Sequence, residues 1–145
     1  MNDLNTQSRA DEPSGGGGMP HIVCLVDDDP SVRRSVSRLL QSDGFEVRAF
    51  SEPYFLLDYL SNNPVEVAVL DIWMERMTGM ELLAHLCAKS PQTRVIFITG
   101  YEDPAARTTV TAAGAFAFFI KPFDDAEFLN AVRRAFNHPV AGAAM

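Results

Sequence analysis

Aspartates 27, 28 and 29 follow the apolar run Ile22-Val23-Cys24-Leu25-Val26, while Asp71, Thr99 and Lys121 each end a later apolar run. Gathered in one place, the carboxylates of Asp27, Asp28 and Asp71 would repel one another, and the remedies are a shared proton or a hard divalent cation with oxygen ligands. Mg²⁺ is the natural choice, because it accepts one or two carboxylates together with waters and a phosphate oxygen. Such a centre suits phosphate chemistry. A carboxylate is a nucleophile that forms an acyl phosphate, and a cation neutralises charge on an incoming phosphoryl group. Lys121 is a flexible cationic donor for a phosphate oxygen, and the Thr99 hydroxyl is a neutral donor able to reorient toward a new group.

Taken singly, these residues mean little: an aspartate after a strand is commonly a turn residue, and Lys-Pro after a strand is commonly a loop. Their placement depends on the elements between them. From His21 onward, β-rich apolar runs alternate five times with helical patterns, which predicts an α/β parallel sheet. Residues 22–26 are apolar throughout, as in a central strand covered on both faces. Pro30 suits the first turn of a helix carrying Val32, Val36, Leu39 and Leu40 at helical spacing, ended by Asp43-Gly44. Residues 45–50 alternate as a half-exposed strand, and Ser51 is expected to cap a helix with Phe55, Leu56, Tyr59 and Leu60 on its core face.

Residues 65–70 form the third expected strand, and a loop through Thr78-Gly79 leads to a helix with Leu82, Leu83 and Leu86. Residues 95–98 form the fourth, followed by a Thr- and Ala-rich segment at 104–113 with modest helix propensity. Residues 116–120 form the fifth, and Phe128, Leu129, Val132 and Phe136 mark the last helix. In such a sheet ligands bind beyond the carboxyl ends of the strands. The chemistry-bearing residues all fall there, and helix and loop positions are expected to contribute none of it.

The 145 residues, 47% hydrophobic and 21% charged, fit one globular domain. A net charge of -7 without a basic run disfavours direct nucleic-acid or anionic-membrane binding. Cys24 and Cys87 match neither a zinc spacing nor a disulfide framework, and both are expected to be buried thiols in a reducing cytoplasm. No basic n-region and apolar h-region opens the chain, and the apolar stretch 112–120 is too short to span a bilayer. Residues 1–20, ending in a glycine run, read as a flexible tail, 21–137 as the domain and 138–145 as a short second tail.

The motifs Val26-Asp27-Asp28-Asp29-Pro30, Leu70-Asp71-Ile72-Trp73-Met74, Ile98-Thr99-Gly100-Tyr101 and Lys121-Pro122-Phe123, in that order and spacing, resemble receiver domains of two-component response regulators. The CheY-like superfamily is the frame and its FixJ-type subgroup the nearest match. The resemblance covers residues 20–137. It implies a flavodoxin-like (βα)5 doubly wound parallel sheet of strand order 2-1-3-4-5. It further implies that Asp71 accepts a phosphoryl group from a histidine kinase or phosphotransfer protein. Asp28, Asp71 and the backbone carbonyl of Trp73 would coordinate Mg²⁺ directly, with Asp27 acting mainly through water. Thr99 and Lys121 correspond to the switch hydroxyl and the phosphate-contacting lysine, and Phe118 to the aromatic switch position. Pro122 matches a position preceded by a cis peptide bond.

Two departures stand out. Glu75 replaces a common proline four residues after the phosphoacceptor, adding negative charge near the site. Trp73 lies where a side chain flanks the path of attacking water, and its bulk is expected to slow hydrolysis. With no output domain evident after Asn137, the signal would pass to a separate downstream protein; a receiver portion of a longer transcription regulator and an unphosphorylated scaffold are the alternatives. Pairing of two copies through the fourth helix and fifth strand, with Phe118, Phe119 and residues 108–113, stays open. An aspartate-nucleophile phosphatase fits poorly because Trp73 stands where a second aspartate is needed. A flavodoxin fits poorly because aspartates replace a hydroxyl-rich phosphate loop.

Overall fold

The computed structural model describes residues 21–137; the two expected tails, 1–20 and 138–145, lie outside the described residues. Strands β1 (Ile22–Val26), β2 (Glu46–Phe50), β3 (Val67–Leu70), β4 (Arg94–Thr99) and β5 (Ala117–Ile120) alternate with helices α1 (Pro30–Ser42), α2 (Pro53–Leu60), α3 (Gly79–Lys89), α4 (Pro104–Ala112) and α5 (Asp125–Asn137). All four strand pairings are parallel, and the sheet order is β2-β1-β3-β4-β5. This is the flavodoxin-like arrangement. No helix of the described residues is long and apolar enough to cross a membrane.

The sheet is covered on both faces, and side-chain alternation along each strand divides the core. Cys24, Val26, Ala68, Leu70, Val95 and Phe97 pack with Leu56 of α2, Leu82 and Leu86 of α3, and Val110 of α4. Val23, Leu25, Val67, Val69, Ile96 and Ile98 pack on the other face with Val36 and Leu40 of α1, and Phe128 and Val132 of α5. Burial on both sides is why β1, β3 and β4 are nearly unbroken apolar runs. The outer strands β2 and β5 are only part-buried.

Helix starts follow capping chemistry. Asp103 accepts hydrogen bonds from the Ala105 and Ala106 N–H groups, which lets the Thr-rich α4 begin cleanly at Pro104. Thr78 and Glu81 form a reciprocal capping box at α3. Three expectations need correction. Ser51 does not cap α2: Glu52 occupies that position, without a side-chain capping hydrogen bond. Phe55 does not join the core and is 48% exposed, because α2 packs through Leu56 on its neighbouring face. Cys87 is exposed, with its Sγ near the Ala113 carbonyl oxygen at 3.8 Å; only Cys24 is buried, and burial pushes its thiol up to about 12.

Candidate metal centre

The carboxyl ends of β1 and β3 place the acidic residues side by side. The Asp71 N–H donates to the Val26 carbonyl at 3.1 Å, continuing the β1·β3 register one step past the strand, and the Asp27 N–H donates to the Phe50 carbonyl at 3.2 Å. Carboxylate oxygens of Asp27, Asp28 and Asp71 thus lie within 4.8 Å of one another. Asp29 is turned to a different task. Its Oδ1 accepts from the Ser31 N–H at 2.9 Å and the Ser31 hydroxyl at 3.0 Å, capping α1. Those bonds hold its carboxyl below the usual carboxylate range.

Burial dominates the electrostatics. Asp71 is 8% exposed; desolvation, with the Asp27 charge beside it, pushes its carboxyl up to about 6 against the partial relief of Lys121. Asp27 is raised mainly by burial too, despite the Asp29 N–H donated to its Oδ1 at 2.9 Å and the nearby Lys121. Its Oδ2 is buried without a hydrogen-bond partner among the described residues, and the Lys121 Nζ stands 3.6 Å away. An orphaned buried carboxylate oxygen among three converging carboxylates is what a hard divalent cation satisfies. The donor set fits Mg²⁺.

Thr99 and Lys121 arrive on the adjoining strands, with the Lys121 N–H donating to the Thr99 carbonyl at 2.7 Å. The Thr99 side chain is fully buried and its hydroxyl engages its own turn, 3.4 Å from the Tyr101 N. It makes no hydrogen bond to the carboxylates among the described residues. The Lys121-Pro122 peptide bond is cis. Phe118 packs at the margin of the core beneath α4, with the Arg107 guanidinium 5.0 Å from its ring centroid; it lies on the sheet face opposite Phe119. The Trp73 N–H points at Asp71 Oδ1 at 3.4 Å, and its indole is 39% exposed.

Three contributors were not anticipated from the sequence. Arg33 of α1 donates to the Asp27 carbonyl at 2.7 Å, so a helix does contribute to the centre, contrary to expectation. Tyr101, to which sequence reasoning assigned no role, meets Trp73 edge-on with ring centroids 6.3 Å apart. The Glu75 N–H donates to Asp28 Oδ2 at 3.2 Å, so a loop contributes as well, again contrary to expectation. Tyr101 had a signal, its place two residues after Thr99. The other two contacts have none, since arginines in helices and backbone amides are everywhere.

Residues 23–133 match the family model described as the response regulator receiver domain. The response regulator protein TodT of Pseudomonas putida is 32% identical over 114 residues, 79% of this chain and 50% of its own length; the chain therefore spans about half of that relative. The crystal structure of FixJ-N is 32% identical with a TM-score of 0.77, covering 85% of this chain and 98% of that one. The beryllofluoride-activated NtrC4 receiver domain dimer is 28% identical with a TM-score of 0.76, covering 80% of this chain and 96% of that one. With this fold, this acidic pocket and these matches, the chain belongs to the response regulator receiver domain family, a family of two-component signalling proteins rather than metabolic enzymes.

Proposed function

We propose that this chain is a phosphorylation-controlled switch in which Asp71 takes a phosphoryl group from a phosphohistidine of a histidine kinase or phosphotransfer protein. The observation that carries the reading is the convergence of Asp27, Asp28 and Asp71 within 4.8 Å, with Lys121 beside the otherwise unpartnered Asp27 Oδ2. A carboxyl at about 6 is largely ionised at neutral pH, so an Asp71 oxygen is available to attack phosphorus. The new P–O bond forms as the P–N bond breaks, and the departing imidazole takes up a proton. Asp28, Asp71 and the Trp73 carbonyl would hold Mg²⁺, with Asp27 supporting the site less directly, and the ion when bound would supply charge neutralisation for the transferring group. Lys121 binds a phosphoryl oxygen.

Signalling then follows from Thr99. Drawn toward the phosphoryl group, its hydroxyl leaves the Tyr101 turn, and Phe118 moves inward from beneath Arg107, changing the face made by α4 and β5. That face is where we place the downstream protein partner or a second copy of the chain; the NtrC4 receiver domain is described as a dimer, which is in keeping with pairing of such domains though not with any particular face. The proposed organisation is a receiver over 21–137 with flanking segments, working in the cytoplasm. No direct nucleic-acid contact is proposed for it.

Incubation with Mg²⁺ and a small-molecule phosphodonor, followed by intact mass measurement, is expected to give one phosphoryl adduct that is absent in Asp71→Asn and absent with EDTA. Failure to form the adduct under repeated conditions would make the chain a phosphorylation-independent scaffold. We place the Trp73 indole, part-exposed and edge-on to Tyr101, on the approach to Asp71. Trp73→Ala is expected to speed loss of the adduct by about threefold or more, equivalent to about 0.7 kcal/mol of barrier. An unchanged decay rate would remove the shielding role.

A further inference from the structure

The replacement of a common proline by Glu75 acts through its backbone. The Asp28 carboxylate is exposed, and its hydrogen bond among the described residues is the one donated by the Glu75 N–H to Oδ2, across a separation of 47 residues. A proline at position 75 has no N–H to donate. The donor is not on a loose loop. Met74 and Met77, 8% and 6% exposed, anchor the segment in the core on either side. Between them Arg76 adopts φ 73° while the Met77 N–H closes onto the Glu75 carbonyl at 2.8 Å, a tight three-residue turn.

We propose that the Glu75 amide is a positioning donor for the cation centre: it fixes the exposed Asp28 carboxylate by Oδ2 and leaves Oδ1 unengaged, so the ligand is oriented before Mg²⁺ arrives. This rests on the reading that Asp28 is a Mg²⁺ ligand. Asp27 needs no such help, because burial and the Asp29 N–H already hold it. Asp28 has no burial to restrain it, and an unrestrained side chain loses rotamer freedom when it binds. Hydrogen-bond partners of metal ligands commonly set affinity by restricting ligand orientation. The Glu75 side chain takes no part in this role. Its negative charge, the more visible feature of the departure, is separable from it.

The test is calorimetric titration with Mg²⁺ of the whole chain and of Glu75→Gln and Glu75→Pro, which both remove the charge while only the second removes the donor. Glu75→Pro is expected to bind Mg²⁺ about three- to tenfold more weakly than Glu75→Gln. Equal affinities of the two variants overturn the proposal. Amide hydrogen exchange tests the bond without a proline: the Glu75 N–H of the unsubstituted, metal-free chain is expected to exchange several-fold more slowly than in Asp28→Ala. Equal exchange rates overturn the proposal even if the proline variant misfolds. If the unsubstituted chain binds no Mg²⁺ at all, the metal-centre reading falls, and this inference with it.

Discussion

Gly79→Ala is expected to cost about 3 kcal/mol or more of stability, toward the top of the range for overpacking. Gly79 is the buried first residue of α3. A Cβ there would stand 2.9 Å from the Ile72 Cα and 2.9 Å from the Phe97 Cε1, and closer still to the Asp71 carbonyl oxygen. Two of those atoms are backbone and cannot swing aside. The Gly79 N–H also donates to the Ile72 carbonyl at 2.7 Å, so α3 cannot back away without breaking that bond. The strain falls on the peptide that carries Asp71, and phosphoryl uptake should drop along with stability. Urea denaturation with an unchanged slope and a lowered midpoint is the expected observation. Gly100→Ala is the matched control: its Cβ would meet only the Lys121 Cε, at 3.9 Å, and a change within about 0.5 kcal/mol is expected. Similar midpoints for the two variants would contradict the packing argument.

Asp71→Asn is expected to stabilise the metal-free chain near neutral pH by on the order of 2 kcal/mol. Asp71 has a folded-state value of about 6, above the ordinary 3.8, so the folded chain retains a proton that the unfolded chain releases. The associated stability is fully present below about pH 4 and is lost as pH rises through about 6. Asp27 is shifted the same way by burial and adds to the slope. In EDTA the unsubstituted chain should therefore lose stability between about pH 4 and about pH 7, while Asp71→Asn shows a shallower loss. Saturating Mg²⁺ should invert the order, because a ligand that binds only the folded state stabilises it by mass action and the asparagine removes one of its carboxylates. Urea titrations at several pH values, with EDTA or Mg²⁺, read all of this. Destabilisation by Asp71→Asn in EDTA at neutral pH would mean that the buried charge is already compensated.

Much of the fold was legible because local pattern and burial coincide. The unbroken apolar runs at 22–26 and 95–98 belong to strands covered on both faces, and Pro30 and Pro104 begin helices. Strand order came from the family resemblance, since periodicity does not say which strands are neighbours; the observed order β2-β1-β3-β4-β5 agrees with it. The expectation for Cys87 failed for a related reason. Its neighbours Leu83 and Leu86 are buried, but Cys87, one turn on from Leu83, stands at the exposed rim of their helix face, with its Sγ toward the Ala113 carbonyl just after α4.

The sequence by itself determined which residue types stand at the carboxyl ends of the strands, and so which chemistry the chain can do. Tertiary structure alone decided how that chemistry is held. Asp27 became a buried carboxylate with one oxygen lacking a hydrogen bond among the described residues, while Asp29, two residues on, became a helix cap. Arg33 came to grip the Asp27 carbonyl, and a loop amide at Glu75 came to hold Asp28. The physical reason is that side-chain type encodes local conformation and hydrophobic preference. A backbone N–H is carried by every residue except proline, and only the path of the chain through space aims it at a partner.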